Sequence, residues 1–139
     1  MKAIVFDLDG TLVDSAPDIQ AAVNTMLANE GQAPLDLPTV TSFVGNGLPK
    51  LVERVIRHCA MDMAQFDRLV ADTLMIYNTA TSDLTRPYPN MMACLTRLKA
   101  AGYRMAVCTN KPYGPAVHLL LNLKLGDFFE VVIGGDSTD

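Results

Sequence analysis

Two hydrophobic rhythms run along this chain. Residues Ala3 to Phe6 make a short, unbroken apolar run, the pattern of a strand buried on both faces of a parallel sheet. Further on the period lengthens: Ile19, Val23, Met26 and Leu27 recur at helical spacing until Gly31, behind a capping-box-like pair, Ser15 and Asp18. The stretch QAPLDLPT reads as a loop. Leu51, Val52, Val55 and Ile56 then mark a second amphipathic helix between Leu48 and Ala60, and Phe66, Leu69, Val70, Leu74 and Tyr77 mark a third. At TRPYPNMM two prolines punctuate the chain before a helix that ends near Ala101 and Gly102. Tyr103 to Thr109 reads as a strand, Pro112 to Leu123 as a helix and Glu130 to Ile133 as a strand.

The order is therefore one strand, a run of helices over residues 16 to 82, and then α-β-α-β. Joining the two ends predicts an α/β fold: a Rossmann-like parallel sheet formed by residues 1–15 and 83–139, with a small helical domain, 16–82, inserted after its first strand. At 139 residues the chain has room for one ordinary core, or for one small domain and part of another.

Composition narrows the partners. Half the residues are hydrophobic and 19% are charged, as in globular proteins. The net charge is −4 and the eleven lysines and arginines form no basic run, so neither nucleic acid nor an anionic membrane is an expected partner. The first apolar stretch breaks at Asp7, too early for a signal-peptide core, and no later run approaches a membrane span; the expected compartment is the cytoplasm. Cys59, Cys94 and Cys108 show no CxxC spacing and read as small core hydrophobes.

The chemistry begins where the first strand ends, in IVFDLDGTLVDS. Residues two apart on an extended chain point to one face, so Asp7 and Asp9 project together from the carboxyl end of that strand, the edge where open α/β sheets bind ligands. Two adjacent carboxylates repel unless a cation or a proton lies between them. Magnesium suits the position, because it takes oxygen ligands, commonly one or two carboxylates and a substrate phosphate. Taken alone, DLDG also reads as a solvated turn, and CTNKP as a strand end capped by a turn.

The residues DLDGTLVDS on an opening apolar strand, followed later by VCTN at a strand end and separated from it by a helical insertion, resemble the haloacid dehalogenase superfamily of phosphohydrolases. FVGNGLPKLVERV and TNKP look like the phosphoglycolate phosphatases within it. The resemblance implies a magnesium-dependent phosphomonoester hydrolase acting on a small phosphorylated metabolite such as 2-phosphoglycolate. Asp7 would be the nucleophile that becomes an aspartyl phosphate, and Asp9 the general acid and base. Asp7 and the Asp9 backbone carbonyl would hold Mg2+. Thr109 and Asn110 would hold the phosphoryl oxygens, with help from the dipole of the following helix.

The inserted helices would form a cap, and Gly45, Asn46 and Gly47 its substrate loop, although these glycines suit a helix-to-helix turn equally well. Lys50, Arg54 and Arg57 read as a solvated helix face. Asp9 argues against dehalogenation, which needs no proton donor at that position; a sugar-phosphate mutase would keep both aspartates and stays open.

The family pattern runs further than this sequence. After EVVIGGDS, phosphoglycolate phosphatases continue to a KPxP lysine and then to a pair of late acidic residues, none of which is present here. GGDSTD matches the segment before that lysine rather than the acidic pair, and Lys111 belongs to TNKP itself, so neither replaces what is missing. The resemblance thus implies a core incomplete at its carboxyl end, whose first strand becomes an apolar edge prone to self-association. A catalytically impaired fragment that only binds phosphate or a partner chain is the alternative to an active phosphatase.

Overall fold

The computed structural model describes residues 1–81 and 83–138; the expected boundary at 82 and the last residue, 139, lie outside them. The chain divides into two compact units, one made of Met1–Asp14 with Arg86–Asp139 and the other of Ser15–Thr85.

In the first unit three parallel strands, β1 (Ala3–Phe6), β4 (Arg104–Cys108) and β5 (Val131–Ile133), lie in the order β1-β4-β5. A second, two-residue pairing joins β2 (Val13–Asp14) antiparallel to β3 (Arg86–Pro87). Helices α5 (Met91–Ala100) and α6 (Tyr113–Asn122) follow β3 and β4. Leu95 of α5 and Leu119 and Leu120 of α6 share a core with Met105 and Val107 of β4 and with Leu8 and Leu12. Because side chains alternate along a strand, that core takes one face of the sheet.

The other face is bare, which corrects the expectation that β1 is buried on both sides. Val5 keeps 66% of its surface exposed, and Val131 and Ile133 keep 49% and 41%. The apolar run in Ala3–Phe6 reports strand propensity; burial needs a second layer, and no described element supplies one. The cysteines depart from expectation for the same kind of reason. Cys94 and Cys108 are exposed and only Cys59 is half-buried, where desolvation pushes its thiol pKa up.

The second unit is all helical: α1 (Ala16–Asn29), α2 (Leu37–Phe43), α3 (Leu48–His58) and α4 (Phe66–Thr79), the last preceded by a short 3-10 turn at Met63–Gln65. The periodic residues Ile19, Val23, Met26, Leu27, Leu51, Val52, Val55, Ile56 and Leu69 do form its core. Helix α2 begins inside the stretch expected to be a loop. Asp36 caps it, accepting from the Thr39 amide at 2.9 Å, and Pro38 sits in the first turn, where a missing N–H costs nothing.

The Ser15–Asp18 pair is not a capping box. Ser15 makes no side-chain cap bond; the buried Asp18 carboxylate instead accepts from Thr85 Oγ1 at 2.5 Å and the Leu84 amide at 3.3 Å. It thereby ties the first turn of α1 to the end of the same unit, a contact no local pattern reveals. Arg68 of α4 closes the far side of the unit with a two-pronged bond to Glu30 at 2.8 and 3.0 Å, which holds that carboxyl below its ordinary pKa. No helix among the described residues is long and apolar enough to cross a membrane.

Candidate active site

Strand β1 runs parallel to β4 with Phe6 beside Val107, so the residues after each strand emerge at the same edge of the sheet. Asp7 and Asp9 come after β1; Thr109 and Asn110 come after β4. All four lie in the first unit.

The turn after β1 is held by one carbonyl. Leu8 O accepts from the amides of Thr11, Leu12 and Val13 at 3.3, 3.0 and 3.2 Å, while Gly10 N–H bonds to Val13 O at 2.9 Å. Gly10 sits at φ +79, a conformation other residues adopt only under strain, which is why a glycine succeeds the carboxylate pair. Leu8 and Leu12 on this turn are fully buried and anchor it to the core.

Anchoring from below leaves the aspartates in different surroundings. Asp7 is exposed, and its Oδ1 accepts from the Leu8 amide at 2.7 Å. That bond fixes the carboxylate's orientation through one of its two oxygens. Asp9 is half-buried, and its Oδ1 has no hydrogen-bond partner although fully shielded from solvent. A buried acceptor without a donor costs about 1–3 kcal/mol, a cost that a proton or a cation on this oxygen would relieve. No cluster of three or more His, Cys, Asp or Glu residues that could hold a metal occurs among the described residues. The donor set still fits magnesium, which keeps several waters and needs only one or two carboxylates beside a phosphate.

On β4 the ladder continues past the strand: Thr109 N–H bonds to Ile133 O at 2.9 Å. The Thr109 hydroxyl is buried and accepts from the Lys111 amide at 3.1 Å, which leaves its own proton to donate. Asn110 is exposed. Lys111, set aside by sequence reasoning, keeps only 7% of its surface exposed, unusual for an ammonium-bearing side chain. Tyr88, half-buried beyond β3 with its N–H on Leu12 O at 3.2 Å, also escaped notice. Burial and then the charges of Asp14 and Asp9 push its phenol pKa up, so it stands near the carboxylates. Its only sequence signal is its place between two prolines.

The segment GGDS braces the Thr109 loop. Gly135 N–H bonds to Lys111 O at 2.9 Å, Gly134 N–H to Ser137 Oγ at 2.9 Å, and Asp136 Oδ1 accepts from the Tyr113 amide at 2.7 Å. Asp136 therefore caps α6 from a distant loop. The helix expected to lend its dipole to a phosphate thus has its first amide bound to a carboxylate.

Backbone contact at the two glycines is tight. A Cβ on Gly134 would lie 2.4 Å from Tyr113 N, and one on Gly135 2.4 Å from Asn110 O. Gly134→Ala and Gly135→Ala are each expected to destabilise the protein by about 1–3 kcal/mol, the cost of overpacking against atoms that cannot swing away. Thermal unfolding checks this against Gly114→Ala, whose Cβ meets nothing within 4 Å in the first turn of α6 and which should leave the melting temperature unchanged or raise it.

The loop of Gly45, Asn46 and Gly47 lies in the other unit. Gly45 and Gly47 have φ +132 and +83, so both positions need glycine. Arg54, expected on a solvated face, instead donates to Phe43 O and Asn46 Oδ1, each at 2.7 Å. Because a guanidinium only donates, Asn46 must turn its oxygen toward Arg54, and its NH2 is left facing away. Lys50 and Arg57 pair with Glu53 on the exposed face, as expected.

Residues 4–139 match the family model described as haloacid dehalogenase-like hydrolase, and the chain belongs to that family. It is 45% identical over 139 residues to a phosphoglycolate phosphatase of Cereibacter sphaeroides, covering 99% of this chain and 64% of that protein. A phosphoglycolate phosphatase of Neisseria meningitidis is 42% identical, with 99% and 60% covered. The crystal structure of a predicted phosphoglycolate phosphatase from Haemophilus somnus superposes with a TM-score of 0.87 at 30% identity, covering 99% of this chain and 64% of that one. The chain thus spans somewhat less than two thirds of these relatives.

Proposed function

We propose that this chain carries the phosphoryl-transfer half of a magnesium-dependent phosphomonoesterase for a small phosphorylated metabolite such as 2-phosphoglycolate. The observation that carries the reading is the contrast at the end of β1: an exposed Asp7 held through one of its oxygens, two residues before an Asp9 with a buried, unpartnered oxygen. The similarity to phosphoglycolate phosphatases supports the choice of substrate.

In this reading Asp7 Oδ2 attacks phosphorus in line with the leaving alkoxide, and the P–O ester bond breaks as the aspartyl phosphate forms. Asp9 gives its proton to the alkoxide; it then takes one from the water that attacks the acyl phosphate, returning Asp7. The Thr109 hydroxyl and the Asn110 amide bind phosphoryl oxygens and hold the group in line. Asp7 and the backbone carbonyl of Asp9 would hold magnesium, which offsets the charge of carboxylate and phosphate when bound. The loop at Gly45–Gly47, in the helical unit, would contribute to substrate choice.

The test is phosphate release from a panel of small phosphate esters with and without magnesium, beside the Cereibacter sphaeroides relative. Without a KPxP lysine or late acidic residues, turnover by these residues alone is expected to be about 10²-fold or more below the relative's, the scale on which one preorganised charge acts. Within the panel 2-phosphoglycolate should lead. Hydrolysis indifferent to magnesium, or a preference for sugar phosphates, would sink the assignment. Phosphate binding without any release would favour the second reading, an impaired chain that only binds.

A further inference from the structure

Of the asparagines in this chain, Asn46 alone is followed by a glycine. The backbone nitrogen after an asparagine can attack the side-chain carbonyl carbon and close a five-membered ring, a step that proximity makes possible without an enzyme. A Cβ on the attacking residue would crowd that ring, and Gly47 has none.

The loop between α2 and α3 leaves the nucleophile open. Asn46 is exposed, so water reaches it. Gly47 begins α3, and its N–H donates to no group among the described residues. The positive end of α3 lies at the same residue and eases loss of that proton. The electrophile, by contrast, is held. One guanidinium nitrogen of Arg54 donates to Phe43 O and another to Asn46 Oδ1, each at 2.7 Å. With its oxygen fixed to a group that is itself anchored on α2, the Asn46 side chain loses the rotational freedom that ring closure uses.

We propose that Asn46–Gly47 is a self-modifying site, at which the Gly47 nitrogen closes a succinimide on the Asn46 side chain, and that Arg54 restrains its rate. Hydroxide takes the Gly47 amide proton as the nitrogen bonds to Asn46 Cγ; the Cγ–Nδ2 bond then breaks, and ammonia leaves with a proton from water. A second water opens the ring at either carbonyl. One product is aspartate, and the other is isoaspartate, whose main chain runs through the side-chain carboxyl. The new carboxylate lies beside the Arg54 guanidinium and the positive end of α3, both of which favour an anion. The loop exchanges an outward NH2 for a negative charge, and isoaspartate adds a main-chain carbon between two glycines that sit at φ +132 and +83.

The test holds the purified 139-residue chain in mildly alkaline buffer at physiological temperature and follows each asparagine by peptide mapping and mass spectrometry. Asn46 is expected to convert while Asn24, Asn29, Asn78, Asn90, Asn110 and Asn122 stay intact, and an isoaspartyl methyltransferase should label the product at position 46. Arg54→Met keeps an apolar stem but donates nothing. It should speed conversion about tenfold or more, the factor carried by one lost hydrogen bond from a charged donor, with Arg54→Lys between the two. In urea, where Arg54 no longer reaches Asn46, the parent chain and Arg54→Met should convert at one rate. Should Arg54→Met fail to fold, the parent chain makes the same comparison, since it should convert about tenfold or more slowly when folded than in urea. The proposal is overturned if Asn46 converts no faster than the other asparagines, or if the folded parent chain is as fast as it is in urea. A folded Arg54→Met that converts at the parent rate or more slowly would overturn it too, the latter because the guanidinium would then be activating the carbonyl. None of these readouts needs turnover, so this site and the phosphatase reading fail separately.

Discussion

Asp7→Asn is expected to reduce magnesium-dependent phosphate release by roughly 10⁴-fold or more, the scale on which removing a nucleophile ends covalent catalysis. The amide occupies the same volume and can still accept from the Leu8 N–H that Asp7 Oδ1 binds at 2.7 Å, so stability should hardly change. Its free end is an NH2 or a neutral oxygen, neither of which attacks phosphorus. Beryllium fluoride gives a readout that does not depend on rate: fluorine NMR should show a tight magnesium-dependent complex with the parent chain and none with Asp7→Asn. Hydrolysis undiminished in the variant would remove Asp7 from the mechanism.

Asp9→Asn is expected to act differently according to the leaving group. With an alkyl ester such as 2-phosphoglycolate the departing alkoxide needs a proton, and losing the acid should cost about 10²–10⁴-fold. With an activated aryl phosphate the phenolate leaves unaided, and the loss in aspartyl-phosphate formation should shrink to a few-fold. The measurement is the burst of phenolate on rapid mixing, compared with steady release from the alkyl ester, since the second step still needs a base. Equal losses in both would assign Asp9 to support of the turn instead. The Asp9 Oδ1 atom, buried without a donor, makes the variant informative for stability as well: an NH2 placed there gains no acceptor, and the fold should gain little.

How far the sequence alone reaches is clearest at particular residues. The period of Ile19, Val23, Met26 and Leu27 sufficed to place α1, because an amphipathic helix is specified by its own spacing. The strands at Ala3–Phe6 and Arg104–Cys108 were legible from short apolar runs, and DLDG and TN marked their carboxyl ends. The candidate site was readable for the same reason: in a parallel sheet, the loops that leave two adjacent strands emerge at one edge. Helix α2 was not, since its start depends on a cap from Asp36 and its seven residues bury only Val40. Nor were the two-residue strands β2 and β3, too short to show a period.

Long-range partners account for the rest. Asp18 looked like half of a capping box, yet it binds Thr85, 67 positions away. Asp136 caps a helix that begins 23 positions before it, and Arg54 spends its guanidinium on the loop ahead of its own helix. The sequence by itself determined the three parallel strands, the helices other than α2, their order and the placing of two carboxylates at a strand end, because those depend on local periodicity and on the handedness of β-α-β connections. Only the tertiary structure decided which carboxylate is exposed and which holds a buried, unpartnered oxygen, which charges are already spent, and which face of the sheet is bare. Burial belongs to neighbours that are distant in the chain, and an apolar residue such as Val5 carries the same side chain whether or not anything comes to cover it.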